Sequence, residues 1–179
     1  MIIMGIDPGS RHTGYGVIEW TRKGDVCVLT YGVLNLRGKD SHPLRLKHIY
    51  DAVVAIIDRT HPDECAIEMP VYGKNAQSML KLGRAQAAAM LAAMNREIPV
   101  TQYTPKEIKK AVTGNGNASK KQIWYMVDQL LQLQEDRGFD AADALAVALC
   151  HRHRMTRGGH RIYKNWAHFL EAHPHRIIR

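Results

Sequence analysis

Asp7, Glu68, Asp140 and Asp143 are the acidic side chains of this 179-residue chain whose settings suit chemistry. Asp7 ends the apolar run Met1-Ile2-Ile3-Met4-Gly5-Ile6 at a Pro8-Gly9 turn, Glu68 ends the short run Cys65-Ala66-Ile67, and Asp140 and Asp143 open an alanine-rich stretch. An ionised carboxylate beside an apolar strand is costly without a cation or a donor nearby. Four brought together would repel and raise one another's pKa values unless divalent cations sat between them. Mg²⁺ takes hard oxygen ligands, and two such ions about 3.5 to 4 Å apart serve phosphodiester hydrolysis, one activating water and both stabilising charge. Each acid also has a plainer reading. Asp at a helix start caps it and suits the dipole, and an acid at a strand end simply meets water. Convergence is what would select the chemistry.

Hydrophobic periodicity shows which strands and helices carry these acids. The run 2–6 reads as a strand buried on both faces, and Gly5 is its one interruption. Thr13–Trp20 and Val26–Leu34 read as two further strands joined by a turn at Arg22-Lys-Gly-Asp25, so the sheet opens with antiparallel neighbours. Leu46, Ile49, Val53, Ile56 and Ile57 form a helical stripe closed by His61-Pro62, which makes a crossover to the strand 65–68. A right-handed crossover sets the Asp7 and Glu68 strands side by side with both acids at one sheet end. Asn75 caps an alanine-rich helix to about Asn95, expected as the central packing helix, and Ile98–Tyr103 is a fifth strand. Thr104-Pro105 and Ser119 cap two more helices, and the last runs from near Asp140 to about His153. The whole reads as an α/β fold with a mixed five-stranded sheet flanked by helices.

Lys106, Lys109 and Lys110 share much of one helix face, and Lys120 and Lys121 follow Gly114-Asn-Gly-Asn117 at a helix start. Lysines there oppose the helix dipole, whereas a flexible loop, free N–H groups and two ammonium groups would cradle a phosphate. The plain alternative is a solvated helix face. Lys74 and Arg84, near the start of the alanine-rich helix, are weaker candidates of the same kind.

The formal net charge is +8, and 45% of residues are hydrophobic. Residues 152–179 hold seven Lys/Arg and the single acid Glu171, leaving 18 basic and 16 acidic side chains in the rest. A basic arm suits a polyanion, and a solvated tail explains the same composition. No run of about 18 apolar residues spans a bilayer, so a soluble, cytoplasmic chain with no membrane partner is expected. Cys27, Cys65 and Cys150, odd in number and set among apolar residues, are expected as reduced core thiols.

Gly5-Ile-Asp7-Pro-Gly-Ser-Arg-His-Thr-Gly-Tyr-Gly16, Ala66-Ile-Glu68, Lys74-Asn75 with Ser78 and Leu80-Lys-Leu-Gly83, and Asp140-Ala-Ala-Asp143-Ala-Leu-Ala146 closely resemble the RuvC family of bacterial Holliday junction resolvases. The resemblance covers residues 2 to about 153. It implies an RNase H-like nuclease domain over 1–153, with 154–179 as a basic tail that is disordered or holds one short helix. It further implies a homodimer that cuts four-way DNA junctions with two Mg²⁺ per active site, Mn²⁺ being possible, and branch-migration motor proteins as partners. Carried over residue by residue, the catalytic and metal-binding acids fall on Asp7, Glu68, Asp140 and Asp143. Lys109 and Lys120 align with basic residues used in catalysis and DNA binding. The wider DNA-binding set is Tyr72, Lys74, Arg84, Lys106, Lys110 and Lys121. The family often has an aromatic residue three after the catalytic Glu; here that residue is Val71, and Tyr72 follows it. Two other readings stand beside this one. Gly-Ile-Asp-Pro-Gly-Ser also resembles the first phosphate loop of actin-like ATP-binding proteins, which need a second loop not found here. A catalytically inactive junction-binding module would lack the acids.

Overall fold

Alternate residues of the first strand face opposite ways, and that parity sorts the molecule into two cores on either side of one sheet. The structure is a computed structural model describing residues 1–21, 24–36, 41–70, 75–133, 135 and 138–156. In chain order the elements are β1 (Ile2–Asp7), β2 (His12–Trp20), β3 (Val26–Asn35), α1 (His42–Thr60), β4 (Glu64–Glu68), α2 (Ala76–Met94), β5 (Val100–Tyr103), α3 (Pro105–Thr113), α4 (Lys120–Leu131) and α5 (Phe139–Thr156). The sheet order is β3-β2-β1-β4-β5. The first three strands are antiparallel neighbours, and β4 and β5 run parallel to β1.

Met4, Ile6, Val17, Cys65 and Ile67 face one way, into a core closed by α1 and α2. Ile3, Ile18 and Ala66 face the other way, toward α3, α4 and α5. The central helix is α5 and not, as expected, α2. The alanine-rich α2 buries only a stripe, Ala85, Gln86, Ala89, Ala92 and Ala93, whereas α5 is buried at every position from Ala141 to His151. A helix apolar all round belongs in the interior, and the run Ala141-Ala-Asp-Ala-Leu-Ala-Val-Ala-Leu-Cys150 has that composition. Cys65 and Cys150 are buried as expected, but Cys27 is exposed, because it takes an outward position on β3. Among the described residues no helix is long and apolar enough to cross a membrane.

α5 approaches the sheet at backbone distance. A Cβ on Gly5 would lie 2.1 Å from the Ala144 carbonyl oxygen, and one on Gly14 would lie 2.0 Å from that of Asp140. Only glycine permits such contact without a shift. Further along α5, His151 is fully buried, with Nε2 2.7 Å from a Glu64 carboxylate oxygen and Nδ1 2.8 Å from the Tyr103 hydroxyl. A carboxylate only accepts, so in the neutral ring Nε2–H donates to Glu64 and Nδ1 accepts the phenol's hydrogen bond. This chain joins α5, β5 and β4.

Replacing His151 with Leu leaves the Tyr103 hydroxyl and the Glu64 carboxylate without that partner. The variant should lose about 2 to 4 kcal/mol. Urea unfolding checks it: the midpoint should fall at constant slope, and an unchanged midpoint would show that the three groups contribute nothing net.

Candidate active site

Each acid reaches the site through a separate local device. On β1, Ile3, Gly5 and Asp7 share the α5-facing side. Behind Asp7 the turn is pinned by buried Thr13, whose Oγ1 donates to the Gly9 carbonyl at 2.9 Å and accepts from the Gly9 N–H at 3.3 Å. On β4, Ala66 and Glu68 share that same side, and the parallel register Ile6↔Ile67 makes Asp7 and Glu68 neighbours at the sheet's carboxyl end. The Gln86 amide donates to the Glu68 carbonyl at 3.3 Å and to Gln102 Oε1 at 3.0 Å, tying this strand end to α2 and β5. The glycine contacts of β1 and β2 bring the first turn of α5 over the sheet. Asp140 is the second residue of that helix, inside its first turn.

Oxygens of Asp7, Asp140 and Asp143 lie within 4.8 Å of one another. Three of the four acids expected from the sequence thus form a tight cluster. Glu68 stands outside that tight set, and its charge still acts on Asp7. Burial pushes the Asp7 carboxyl from its ordinary 3.8 to about 8, helped by the negative charges of Glu68, Asp143 and Asp140, while Lys120 opposes the rise. Burial and Asp143 push Glu68 from 4.5 to about 7. Asp143 is also raised by burial, partly offset by its hydrogen bond and charge interaction with Lys120. The donors are all hard carboxylate oxygens, too close and too poorly solvated to ionise together unaided. That donor set fits a divalent cation such as Mg²⁺.

Lys120 Nζ lies 2.9 Å from an Asp143 oxygen and 3.6 Å from an Asp140 oxygen. Burial alone would lower its pKa; the hydrogen bond and charge of Asp143, then Asp140 and Asp7, raise it instead. The ammonium is therefore held protonated beside the acids. Lys109 lowers the pKa of both Glu68 and Asp143, which places its charge at the same centre.

Lys106 lines a cavity together with Lys109, but Lys110 and Lys121 do not share this place. Lys121 lines a separate cavity with Thr113, Asn115 and Tyr125, and Lys110 lines another with Tyr103, Glu107 and Arg154. Successive helical residues point about 100° apart, so Lys120 and Lys121, expected as one phosphate cradle, diverge. The Gly114–Asn117 loop is also less free than its composition suggests. Thr113 Oγ1 accepts from the Asn115 N–H at 3.1 Å and donates to the Asn115 carbonyl at 3.0 Å, and Asn115 Oδ1 accepts from the Asn117 N–H at 2.9 Å. At the start of α4, a capping box of Ser119 and Gln122 takes up the Ser119 and Gln122 N–H groups, so those two are not available to a phosphate. Arg84 does have company: after burial, the charges of Arg84, Arg45 and Lys81 hold the His42 pKa below 6.5, and Arg45 reaches the Ser10 carbonyl at 3.4 Å. His42, Arg45 and Lys81 are absent from the expected set. Their signal was present in the first turns of α1 and α2, which hold no acid. Tyr72, Lys74 and the tail from 157 lie outside the described residues.

A mixed sheet in the order β3-β2-β1-β4-β5, carrying a carboxylate cluster at the end of its first strand, defines an RNase H-like protein with a nuclease-type acidic centre. Residues 3–151 match the family model of crossover junction endodeoxyribonuclease RuvC, and this chain belongs to that family. Among relatives, a Salinibacter ruber crossover junction endodeoxyribonuclease RuvC is 56% identical over 178 residues, covering 99% of each chain. Among structures, Thermus thermophilus RuvC superposes with a TM-score of 0.79 at 32% identity, covering 88% of this chain and 97% of that one. The same protein in complex with a Holliday junction substrate also gives 0.79, at 29% identity and the same coverage.

The raised carboxyls set a pH dependence. Folded Asp7 and Glu68 keep their protons to about 8 and 7, whereas ordinary carboxyls release theirs near 3.8 and 4.5. Between those values the folded state binds more protons than the unfolded one, so metal-free stability falls as pH rises from about 4 to 8. Without divalent ions the melting temperature should therefore drop across that range, and Asp7→Asn should flatten the slope and raise the melting temperature at pH 8 by about 4 °C or more. Mg²⁺ should stabilise the wild-type chain more at pH 8 than at pH 5, because it competes with those protons. Differential scanning fluorimetry with and without EDTA reads all three; a melting temperature independent of pH would show that the acids are not strained together.

Proposed function

We propose that this chain is a structure-selective endonuclease that resolves four-way DNA junctions in recombination and repair by paired, metal-dependent incisions. The observation that carries the reading is the convergence of Asp7, Asp140 and Asp143 within 4.8 Å, in a chain of the RuvC family. Asp7, Glu68, Asp140 and Asp143 are the residues that would hold the metal, proposed as two Mg²⁺ per site with Mn²⁺ as a substitute. When bound, such ions supply an activated water and stabilise the charge that develops on the phosphate. Lys120 stays protonated beside Asp143, so it acts as a cation and hydrogen-bond donor toward the scissile phosphate and not as a proton acceptor. Lys109 adds a second charge on the Glu68 side of the centre. Arg84, with Arg45 and Lys81, extends a basic surface beyond the active-site turn and suits the backbone of a duplex arm. Branch-migration motor proteins are the protein partners this reading implies.

A four-way junction has two-fold symmetry, and a two-fold dimer would present one site to each of two opposed strands. α2 carries a suitable face. Leu80, Ala87, Leu91 and Met94 are all exposed and fall at steps of seven, four and three residues along α2, the repeat of a helix seam. Leu80, Leu91 and Met94 are 61%, 53% and 57% accessible. We assign the homodimer contact to this face. Leu91→Glu should shift sedimentation from dimer to monomer and convert paired incisions into single nicks; a dimer that persists would place the contact elsewhere.

The direct test of the nuclease reading is a mobile synthetic four-way junction incubated with and without Mg²⁺, with nicks mapped on every strand. Paired nicks at symmetric positions are expected only with the metal. Asp7→Asn should bind the junction and leave it uncut, and Lys120→Ala should cut about 100-fold more slowly. Cutting by Asp7→Asn at the wild-type rate would remove Asp7 from the metal site.

A further inference from the structure

α5 crosses the sheet obliquely and meets each strand at a different point. The Asp140 carbonyl oxygen lies over Gly14 of β2, and the Ala144 carbonyl oxygen and Ala148 nitrogen lie over Gly5 of β1, where an added Cβ would come within 2.0, 2.1 and 2.7 Å of them. About one turn further, His151 reaches Glu64 of β4 at 2.7 Å and the Tyr103 hydroxyl of β5 at 2.8 Å. The order β2, β1, β4, β5 is that of the sheet itself.

These contacts are of two kinds. At the glycines, and where Leu145 lies over Gly16, van der Waals contact sets how closely the helix lies on the sheet. Such contact has no preferred direction, so it opposes closer approach more than it opposes sliding along the helix axis. His151 supplies the direction. A hydrogen bond weakens steeply outside its narrow range of length and angle, and two of them from one planar ring hold that ring in two directions. The imidazole is fully buried, so no water takes over a bond that slides out of range. Were packing the only need, an apolar side chain of similar volume would serve at least as well there.

The elements joined by His151 are the ones that carry the acids. Glu64 and Glu68 stand at the two ends of β4 and, with Ala66 between them, on its α5-facing side. Tyr103 is the register partner of Glu68 on β5. Asp140 and Asp143 ride on α5, and Asp143 precedes His151 by about 12 Å along one unbroken helix. A helix is stiff along its axis, so a slip at His151 moves both aspartates against Asp7 and Glu68. Little slip is affordable: the oxygens of Asp7, Asp140 and Asp143 fall within 4.8 Å, and Mg²⁺ holds its ligands at about 2.0 to 2.1 Å in a near-ideal octahedron. We infer that His151 is a positioning residue for the nuclease reaction, its bonds to Glu64 and Tyr103 fixing the axial place of α5 and with it the distance of Asp140 and Asp143 from Asp7 and Glu68. This inference rests on the metal-dependent nuclease reading and deepens it, since it names what holds the two halves of the acidic centre in register.

The test measures Mn²⁺ binding to the full-length chain without DNA, from the loss of the free ion's electron paramagnetic resonance signal, alongside the melting temperature. His151→Leu alone should lower both stability and affinity, which does not separate the two roles. The deciding variant combines His151→Leu, Glu64→Leu and Tyr103→Phe, so that no member of the chain stays behind without its partner. It should melt within about 5 °C of the wild type. Its Mn²⁺ dissociation constant should nevertheless rise about 10-fold or more, the usual effect of removing a supporting partner from a metal centre. Tyr103→Phe keeps the ring and removes one hydroxyl, so it decides the matter should the triple variant fail to fold; there the constant should rise about 2- to 5-fold. Wild-type affinity in the folded triple variant, or in Tyr103→Phe where the triple does not fold, overturns the positioning role and leaves His151 a residue of the core alone. A wild-type chain that binds no more Mn²⁺ than Asp7→Asn overturns the metal-centre reading itself.

Discussion

Carboxylates withdrawn from water repel one another, and the fold holds several of them at one end of its sheet. Asp7 sits at the end of a buried strand, and burial together with three other acids pushes its carboxyl to about 8. A fold that needed only stability would not assemble such a centre, because each ionised group would cost free energy and the neighbours would add to it. The surroundings moderate the cost. Lys120 contacts Asp143 and Asp140, and Lys109 lowers Glu68 and Asp143. The remaining imbalance is what a divalent cation would relieve. Local strain of this kind is characteristic of sites where electrostatics carry the chemistry.

Strand parity delivered the main outline of this from the sequence. An apolar run ending in Asp7, another ending in Glu68 and a right-handed crossover between them were enough to predict two acids at one sheet end, and the parallel pairing of β1 with β4 shows it. Thr104 and Ser119 announced their helices, and both form capping boxes. The acids Asp140 and Asp143 were legible as a pair on one helix face, but their distance from Asp7 was not, because it depends on how closely α5 meets the sheet.

What stayed hidden depended on contacts between distant segments or on a rotation of one residue along a helix. The Tyr103–His151–Glu64 chain joins residues 48 and 87 positions apart, and no spacing in the sequence announces it. Lys120 and Lys121 looked like one feature, yet a step of one residue along α4 sends them to different places. Alanine content points to α2 as the central helix, whereas burial makes it α5. An exposed seam of Leu80, Leu91 and Met94 identifies that helix as a layer with an outer face, whereas unbroken burial identifies α5 as the core. The basic group around His42 was missed for a related reason: Arg45 belongs to α1, while Lys81 and Arg84 belong to α2, and only packing makes them neighbours.

The glycine contacts beneath α5 have a bearing on how such a centre keeps its dimensions. At Gly5 and Gly14 the spacing is set by peptide groups touching peptide groups, with no side chain between them. Main chain has a fixed thickness and no rotamers, so it serves as a shim whose size neither thermal hopping nor neighbouring substitutions can alter. A gap gauged in this way would survive wide drift in the surrounding core, and the spacing of the carboxylate cluster is thereby decoupled from the quality of packing elsewhere.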